Sequence, residues 1–305
     1  MEMRQVYGSE MEKIMSQNPK VCTIDADLAR ANGTWDLRNK FPDRALDVGI
    51  AEPNMAGVAA GLSSYGFIPF ISTFASFAAR KIADQIYVSM AYAKQNVKVV
   101  GTDPGISAEL NGGTHMPFED IGTLRSIPTL VIYEPADNEQ LRQALPQIVD
   151  HYGPVYIRMN RKVVPDVFGP DYKFDLFKAD VISEGSDVSL LCTGVLVSEA
   201  IKAAAILKEK GISAEVINVH TIKPLDEETV LASAKKTNHV VTCENHNVIG
   251  GLYSAVAELL SEKYPCKMGK IGAYDRFGEV GVYPELIKHF HMTADDIVAK
   301  VLEGR

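Results

Sequence analysis

The sequence has 305 residues, of which 46% are hydrophobic and 23% charged, and its formal net charge is −8 at pH 7. This composition is that of an ordinary globular protein, and the length suits two domains better than one. The negative charge, without any dense Lys/Arg cluster, argues against a nucleic-acid-binding surface. The charged, amphipathic N-terminus does not resemble a signal peptide, and no apolar run approaches the roughly 20 residues that span a bilayer.

The cysteines and histidines show no metal-ligand spacing, so the sequence predicts no metal site within this chain. Cys22, Cys192 and Cys243 lie in strand-like apolar runs, where cysteine behaves as a small hydrophobic residue. Reduced core thiols of this kind favour a cytoplasmic protein, because the cytoplasm keeps thiols reduced.

Apolar, β-branched runs alternate with helical patterns through the first half of the chain. They predict strands at 21–24, 45–50, 67–72, 97–101, 129–134 and 155–159, and helices at 3–17, 54–65, 75–94 and 138–151. Continuous apolar strands that alternate with helices predict a mostly parallel sheet covered on both faces.

A second α/β pattern follows a break in the periodicity. Residues 166–186 contain proline, glycine and mixed charges, and we predict that they form a linker. Beyond it the pattern predicts strands at 188–194, 214–220 and 239–245, and helices near 197–210, 226–236 and 250–263. The predicted fold is therefore α/β with two doubly wound domains, residues 1–165 and the smaller 187–305.

Glu52 is an acid placed where an apolar strand passes into a helix. Pro53 suits the first helical position, and an acid beside it favours the positive end of the helix dipole, so helix chemistry alone can explain the pair. The helix also carries small residues at spacings of three and four: Ala56, Gly57, Ala60, Gly61 and Ser64. This face predicts close contact with another backbone, and ionisation near such a buried contact is costly. We therefore expect Glu52 to be a neutral, hydrogen-donating acid.

Three aromatic side chains near strand ends are candidates for a binding site. His115 lies in a glycine-rich loop after the predicted strand 97–101, and open α/β sheets bind ligands at loops of this kind. Phe74 and Phe77 lie about one helical turn apart. They are either core residues on one helix face or a platform for a planar heterocycle, and His115 is either structural or catalytic.

The glycine pairs Gly112–Gly113 and Gly250–Gly251 do not form a nucleotide-binding motif. Neither has the Lys and Ser/Thr of a phosphate-binding loop, and neither has the GxGxxG spacing of a dinucleotide site. The sequence therefore offers no evident cradle for a diphosphate.

Six short stretches together resemble the C-terminal half of transketolase, in the family's order and with compatible spacing. They are DADL (25–28), GIAE (49–52), STFASF (72–77), NGGTH (111–115), INVHTIKPLD (217–226) and GGLYSAVAE (250–258). The resemblance extends from about residue 4 to residue 300. It implies a pyrimidine-binding domain followed by a transketolase C-terminal domain, as in the small subunit of a two-subunit transketolase.

This resemblance assigns roles around thiamine diphosphate. Glu52 matches the acid that hydrogen-bonds ring nitrogen N1′ of the aminopyrimidine, which prepares the cofactor for attack on a ketose carbonyl. Phe74 and Phe77 match pyrimidine-pocket positions, and Asp27 matches an acid close to the cofactor. His115 matches a histidine suited to proton transfer near the reacting hydroxyl groups. Arg80 replaces a tyrosine of the cofactor pocket.

The positions that would bind substrate match only in part. Arg4 and Arg161 match two arginines at the phosphate end of the substrate, although solvated surface arginines are the ordinary alternative. Asn111 replaces an aspartate that recognises a sugar hydroxyl, Asp103 replaces a histidine and Ala31 a serine. A carboxylate at position 103 would repel a dianionic phosphate. The substrate is thus expected to carry a differently held phosphate or a singly charged group such as a sulfonate.

The same resemblance explains why this sequence has no evident diphosphate-binding motif. Family members bind the diphosphate and Mg²⁺ through a Gly-Asp-Gly motif in their N-terminal half, and this chain lacks it. We therefore expect a separate large subunit, an α2β2 heterotetramer, and sites at subunit interfaces. The second domain is expected to serve dimerisation.

Two other functions stay open at this point. The beta subunit of a 2-oxo-acid dehydrogenase shares the two-domain layout, although INVHTIKPLD and NGGTH look more like the sugar enzyme. A degenerate, non-catalytic half is the other alternative. Glu52 and His115 argue against it, whereas the departures at Asp103, Ala31 and Arg80 keep it open.

Overall fold

Two β-sheets organise the chain in the computed structural model, which describes residues 1–304. The strands are β1 Val21–Asp25, β2 Ala45–Asp47, β3 Ile68–Phe74, β4 Lys98–Thr102, β5 Val131–Tyr133, β6 Val155–Met159, β7 Asp180–Ser183, β8 Val188–Cys192, β9 Ala214–Asn218, β10 Thr221–Lys223, β11 His239–Asn247 and β12 Lys267–Ala273. The first sheet has the order β10-β5-β6-β4-β3-β1-β2, and the second has the order β12-β11-β8-β9-β7. Only β10 and β7 pair antiparallel within these sheets. The predicted α/β fold with two mostly parallel sheets is confirmed.

The helices lie between the strands, as the alternating pattern predicted. They are α1 Met3–Gln17, α2 Ala29–Asn32, α3 Leu37–Lys40, α4 Glu52–Ser64, α5 Ala75–Arg80, α6 Ala83–Gln85, α7 Asp120–Arg125, α8 Asn138–Asp150, α9 Leu196–Glu209, α10 Glu227–Thr237, α11 Leu252–Lys263, α12 Tyr283–His289 and α13 Ala294–Glu303. A π-helical segment covers Ile86–Tyr92 and a 3₁₀ segment covers Gly105–Asn111. Within residues 1–304, no helix combines the length and the apolarity that a membrane crossing requires.

Helix α4 packs one face on the first sheet, and Gly57, Gly61 and Ser64 of its small-residue face are exposed. Met55, Ala56 and Ala59 are fully buried. A Cβ atom added at Gly57 or Gly61 would have no other heavy atom within 4 Å. The predicted contact with a second backbone is therefore not made at these two glycines by the described part of the chain.

The predicted helix 75–94 is interrupted. Helix α5 ends at Arg80, and Ile82 adopts a non-helical φ of −127° before α6 begins. Lys81 therefore lies at the helix end, where its backbone N–H donates to the carbonyl of Phe77 (3.0 Å). This interruption positions the Lys81 side chain near the candidate site.

The predicted linker 166–186 is not wholly irregular. It contains β7, which pairs with β9 at the edge of the second sheet. The boundaries at 165 and 187 stay a prediction.

A buried ionic cluster joins the two halves. Arg158 on β6 donates to Asp120 (2.7 Å), to Glu134 (2.5 Å) and to the backbone carbonyl of Asn245 on β11 (2.8 Å). Burial alone would raise the pKa of Asp120, yet the adjacent Arg158 charge brings it below its usual value. The side chain of Asn245 also accepts from the Ile106 N–H (2.9 Å). The second half therefore supports the segment that leads to His115.

Candidate active site

Five adjacent parallel strands have their carboxyl ends at one edge of the first sheet, and a predicted site residue ends or follows each of them. In spatial order from β6 through β4, β3 and β1 to β2, these residues are Arg161, Asp103, Phe74, Asp27 and Glu52. Open α/β sheets bind their ligands outside this edge because the connecting loops diverge there. The strand order thus brings together residues that are far apart in the sequence.

An aromatic cluster occupies the centre of this edge. The ring centroids of Phe74 and Phe77 lie 5.8 Å apart, and His115 approaches them edge-on at 5.8 and 5.2 Å. All three side chains are half-buried, so ring surface stays accessible to a ligand. His115 Nδ1 also contacts the hydroxyl of Thr114 at 2.9 Å. The cluster therefore combines a stacking surface with an imidazole that can exchange a proton.

Glu52 opens helix α4 beside this cluster and is 3% exposed. The Nζ of Lys81 donates to its Oε1 at 2.7 Å and lies 4.1 Å from the centroid of the Phe77 ring. The sequence predicted a neutral acid at this position. In the chain by itself Glu52 lies within ion-pair distance of Lys81, and its neutral form stays a prediction.

Asp103 and Arg161 form a second ion pair at the edge. Arg161 Nε donates to Asp103 Oδ2 at 2.5 Å, and its guanidinium lies 5.0 Å from the Phe74 ring centroid. Burial raises the pKa of the Asp103 carboxyl, and Arg161 opposes this shift only in part. The other oxygen, Asp103 Oδ1, is buried without a hydrogen-bond partner among the described residues. That oxygen is available to a ligand hydroxyl or amine.

Arg4 adjoins this pair through the backbone. Its N–H donates to the carbonyl of Arg161 (3.1 Å), while its side-chain Nε donates to Glu2 (2.7 Å). Each arginine predicted to bind the anionic end of the substrate therefore already contacts one carboxylate.

Arg80 supports the His115 loop. Its guanidinium donates to the carbonyl of Thr114 (2.7 Å) and to Glu119 (2.5 Å). A tyrosine could not make this pair of contacts, so the substitution changes how the loop is held.

Asp27 and Asn111 lie at the same edge but outside the aromatic cluster. Asp27 is exposed in a left-handed conformation (φ 60°), and its N–H donates to Asp47 (3.0 Å). Asn111 is exposed at the end of the 3₁₀ segment, and Ala31 is half-buried on α2. Their predicted roles stay predictions.

Sequence reasoning missed three charged residues. Within DADL, the buried acid is Asp25, which accepts from Thr34 (2.6 Å) and Asn32 (3.0 Å) and whose pKa burial raises to about 6. Lys81 and Glu2 were missed as ion-pair partners. The spacing of four between Phe77 and Lys81 could have indicated Lys81, because it is the spacing of one helix face.

No metal centre belongs to the described residues: no group of three or more His, Cys, Asp or Glu side chains within 1–304 could hold an ion.

The His115 loop packs closely against the second half of the chain. A Cβ atom at Gly113 would lie 2.3 Å from the carbonyl oxygen of Gly278, so only glycine permits this approach of the second half.

Comparison with known proteins identifies the class. Residues 1–166 match the transketolase pyrimidine-binding domain, and residues 177–297 match the transketolase C-terminal domain. The chain belongs to the transketolase family, whose members depend on thiamine diphosphate, and it is a transferase.

Within that family the chain is of the split, small-subunit type. It is 49% identical over 296 residues to the 6-deoxy-6-sulfo-D-fructose transketolase subunit SqwH of Clostridium sp. (strain MSTE9), covering 97% of this chain and 92% of that protein. It is 32% identical to an apulose-4-phosphate transketolase subunit of Phocaeicola vulgatus, covering 98% and 96%. A solved structure described as "Split gene transketolase, inactive beta4 tetramer" matches with a TM-score of 0.91 and 41% identity, covering 100% and 98%. These matches confirm the transketolase prediction over the 2-oxo-acid dehydrogenase alternative.

Proposed function

We propose that this chain, with a separate large subunit, transfers a two-carbon ketol unit from a ketose with an anionic terminus to an aldose. The observation that carries the proposal is the shared edge, where buried Glu52 lies beside the aromatic cluster of Phe74, Phe77 and His115. An acid beside a stacking surface suits a nitrogen heterocycle, and the imidazole suits proton transfer to substrate.

The residues of this edge fit the aminopyrimidine of thiamine diphosphate. Glu52 would hydrogen-bond N1′, and Phe77 offers a ring face that already attracts the Lys81 ammonium. When bound, the cofactor would supply the electron sink that a two-carbon transfer needs and that amino-acid side chains lack. His115 would exchange protons with the hydroxyl groups of the sugar, and Asp103 Oδ1 would accept a hydrogen bond from a sugar hydroxyl. Asp27 and Arg80 would border the cofactor.

The charges at the other end of the edge favour a singly charged terminal group. Arg4 and Arg161 contribute two positive charges, and their partners Glu2 and Asp103 contribute two negative ones. A phosphate monoester carries about −1.5 to −2 at pH 7, and the fixed carboxylates oppose the second charge. A sulfonate has the same tetrahedral shape but a single charge. The sulfosugar transketolase subunit among the relatives supports this assignment, whereas the apulose-4-phosphate transketolase relative supports phosphate.

The partner is proposed to be the N-terminal, large transketolase subunit. It would hold Mg²⁺ and the diphosphate, for which the sequence of this chain offers no glycine-rich cradle. We propose an α2β2 heterotetramer with Asn111 and His115 facing the substrate at the subunit interface. A cytoplasmic location is also proposed, and three of the four free cysteines are buried.

Reconstitution tests this function. The chain is mixed with the adjacent-gene large subunit, Mg²⁺ and thiamine diphosphate, and matched ketoses ending in sulfonate, phosphate or hydroxyl are supplied with an aldose. We expect two-carbon transfer, fastest from the sulfonate donor. Decarboxylation of pyruvate without ketol transfer would contradict the proposal.

The Asp103→His variant tests the charge argument separately. Replacing the carboxylate removes a negative charge beside Arg161, so kcat/KM for the phosphate donor should rise about tenfold relative to the sulfonate donor. Asp187→Asn, a substitution in the second domain, is the control. An unchanged donor ratio in Asp103→His would show that Asp103 does not set the preference.

A further inference from the structure

Lys81 contacts two members of the proposed pyrimidine site although no role has been assigned to it. Its ammonium lies 2.7 Å from Glu52 Oε1 and 4.1 Å from the Phe77 ring centroid. The Lys81 side chain is 41% exposed, whereas that of Glu52 is 4% exposed. The lysine therefore reaches inward from the surface and covers the acid.

The end of helix α5 fixes this approach. Lys81 follows Arg80, the last residue of α5, and lies four positions after Phe77, on the same helix face. Its backbone N–H still donates to the Phe77 carbonyl, so its Cα is held by the helix. Rotation of the side chain alone is enough to bring the ammonium to Glu52 or to release it to solvent.

The same space is needed by a bound heterocycle. A ring that hydrogen-bonds Glu52 while it stacks on Phe77 must lie between the carboxylate and the phenyl face, which is where the ammonium lies. Glu52 is 3% exposed with Lys81 in place, so little of the carboxylate is left open to a ring. The lysine and the ring are therefore mutually exclusive.

The energetics suit a reversible contact. A buried carboxylate without a partner is strongly unfavourable, so the ammonium stabilises Glu52 while the site lacks its ring. Lys81 regains full hydration when it turns outward, because its side chain already lies partly in solvent. The pair is stable without ligand and can be displaced by one.

We propose that Lys81 is a place-holder for the aminopyrimidine: it occupies the site between Glu52 and Phe77 and must turn outward before the cofactor ring binds. This inference rests on the proposed function. It assigns to Lys81 a control over cofactor affinity, with no part in the transfer reaction.

Cofactor affinity is the first test. The dissociation constant of thiamine diphosphate is measured by calorimetry on the complete two-subunit complex with Mg²⁺, for the wild type, Lys81→Met and Lys81→Arg. Lys81→Met should bind about tenfold tighter, because no ion pair has to be broken, and Lys81→Arg should stay near the wild type. Lys202→Met removes a comparable pair with Glu199 (2.6 Å) in the second domain and should change nothing. Equal or weaker binding by Lys81→Met would overturn the proposal.

Amine reactivity gives a second test that needs no variant. Labelling of Lys81 by an amine-reactive reagent, followed by mass spectrometry, should increase several-fold when thiamine diphosphate binds, while Lys202 labelling stays constant. Unchanged Lys81 labelling would overturn the proposal even if Lys81→Met failed to fold. If the wild-type complex bound no cofactor at all, the proposed function would fail with it. If thiamine diphosphate bound normally and Lys81 neither affected its affinity nor responded to it in labelling, only the place-holder proposal would be refuted.

Discussion

Arg158 and Arg161 lie three residues apart, on and just beyond β6, in two different environments. The Arg158 side chain is 0% exposed, and each of its three guanidinium nitrogens donates a hydrogen bond. The Arg161 side chain is 15% exposed and rests on Phe74, and its carboxylate partner keeps one oxygen without a hydrogen bond. One arginine joins the halves of the chain, and the other borders the proposed substrate.

The contrast separates structural charge from charge that is available to a ligand. In the buried ionic cluster around Arg158, donors and acceptors match inside the chain, and the second acid, Glu134, also accepts from Thr193 (3.1 Å). At the sheet edge the pairing is incomplete and partly solvated, so a ligand can replace or extend it. Burial with full pairing indicates architecture, whereas burial with an unpaired oxygen indicates a site.

Glu52→Gln is the change with the largest expected effect, and it tests the edge. Glutamine keeps the size of the side chain but cannot supply an acidic proton to the cofactor ring. Ketol transfer by the reconstituted enzyme should fall by about 10²–10⁴-fold. Assembly with the large subunit, measured by size-exclusion chromatography, should be unchanged. Full turnover in this variant would remove the proposed role of Glu52.

Arg158→Met tests the buried ionic cluster that joins the two halves of the chain. It leaves Asp120 and Glu134 buried without their cation, and breaking a buried pair in this way costs about 3–5 kcal/mol. We expect a much lower urea midpoint by circular dichroism. Arg161→Met is the matched comparison and should lose less, because it leaves one carboxylate without its cation where Arg158→Met leaves two. Equal losses in the two variants would erase the distinction drawn between them.

The regular elements with strong patterns could be predicted from the sequence. Helix α1 and strand β6 have the predicted bounds, because their apolar periodicity is uninterrupted. Strands β7 and β12 were missed because they are the two outermost strands of the second sheet. One side of such a strand is exposed, and no continuous apolar run is needed. The interruption after Arg80 was missed because no proline or glycine marks it.

The candidate site divides in the same way. The members of the edge could be predicted, since resemblance gives positions and parallel strand order brings them together. The pairings of Glu52 with Lys81 and of Arg4 with Glu2 could not, because they depend on side-chain conformations set by the tertiary structure. These pairings are the features that bear on affinity and charge preference.

Lys98 tests the comparison from the opposite end of β4, the strand that ends beside Asp103. Among the described residues, its buried ammonium donates to neutral partners: the side-chain oxygen of Asn96 (2.7 Å) and the carbonyls of His151 (2.6 Å) and Gly153 (2.7 Å). Burial lowers the pKa of Lys98 from 10.5 to about 7. Between these values the unfolded chain binds the extra proton, so the free energy of unfolding should rise with pH. The slope is at most about 1.4 kcal/mol per pH unit.

Lys98→Met should remove this rise, because methionine has no proton to release. The free energy of unfolding is measured for both proteins at several values from about pH 7.5 to about pH 9, and their difference is analysed. The difference cancels the opposing contribution of buried thiols such as Cys22, whose pKa burial raises to about 12. The free energy of unfolding of the wild type, minus that of the variant, should increase steadily as pH rises. Parallel curves would mean that Lys98 stays charged when buried, and that neutral carbonyls stabilise an ammonium as well as the carboxylates of the sheet edge do.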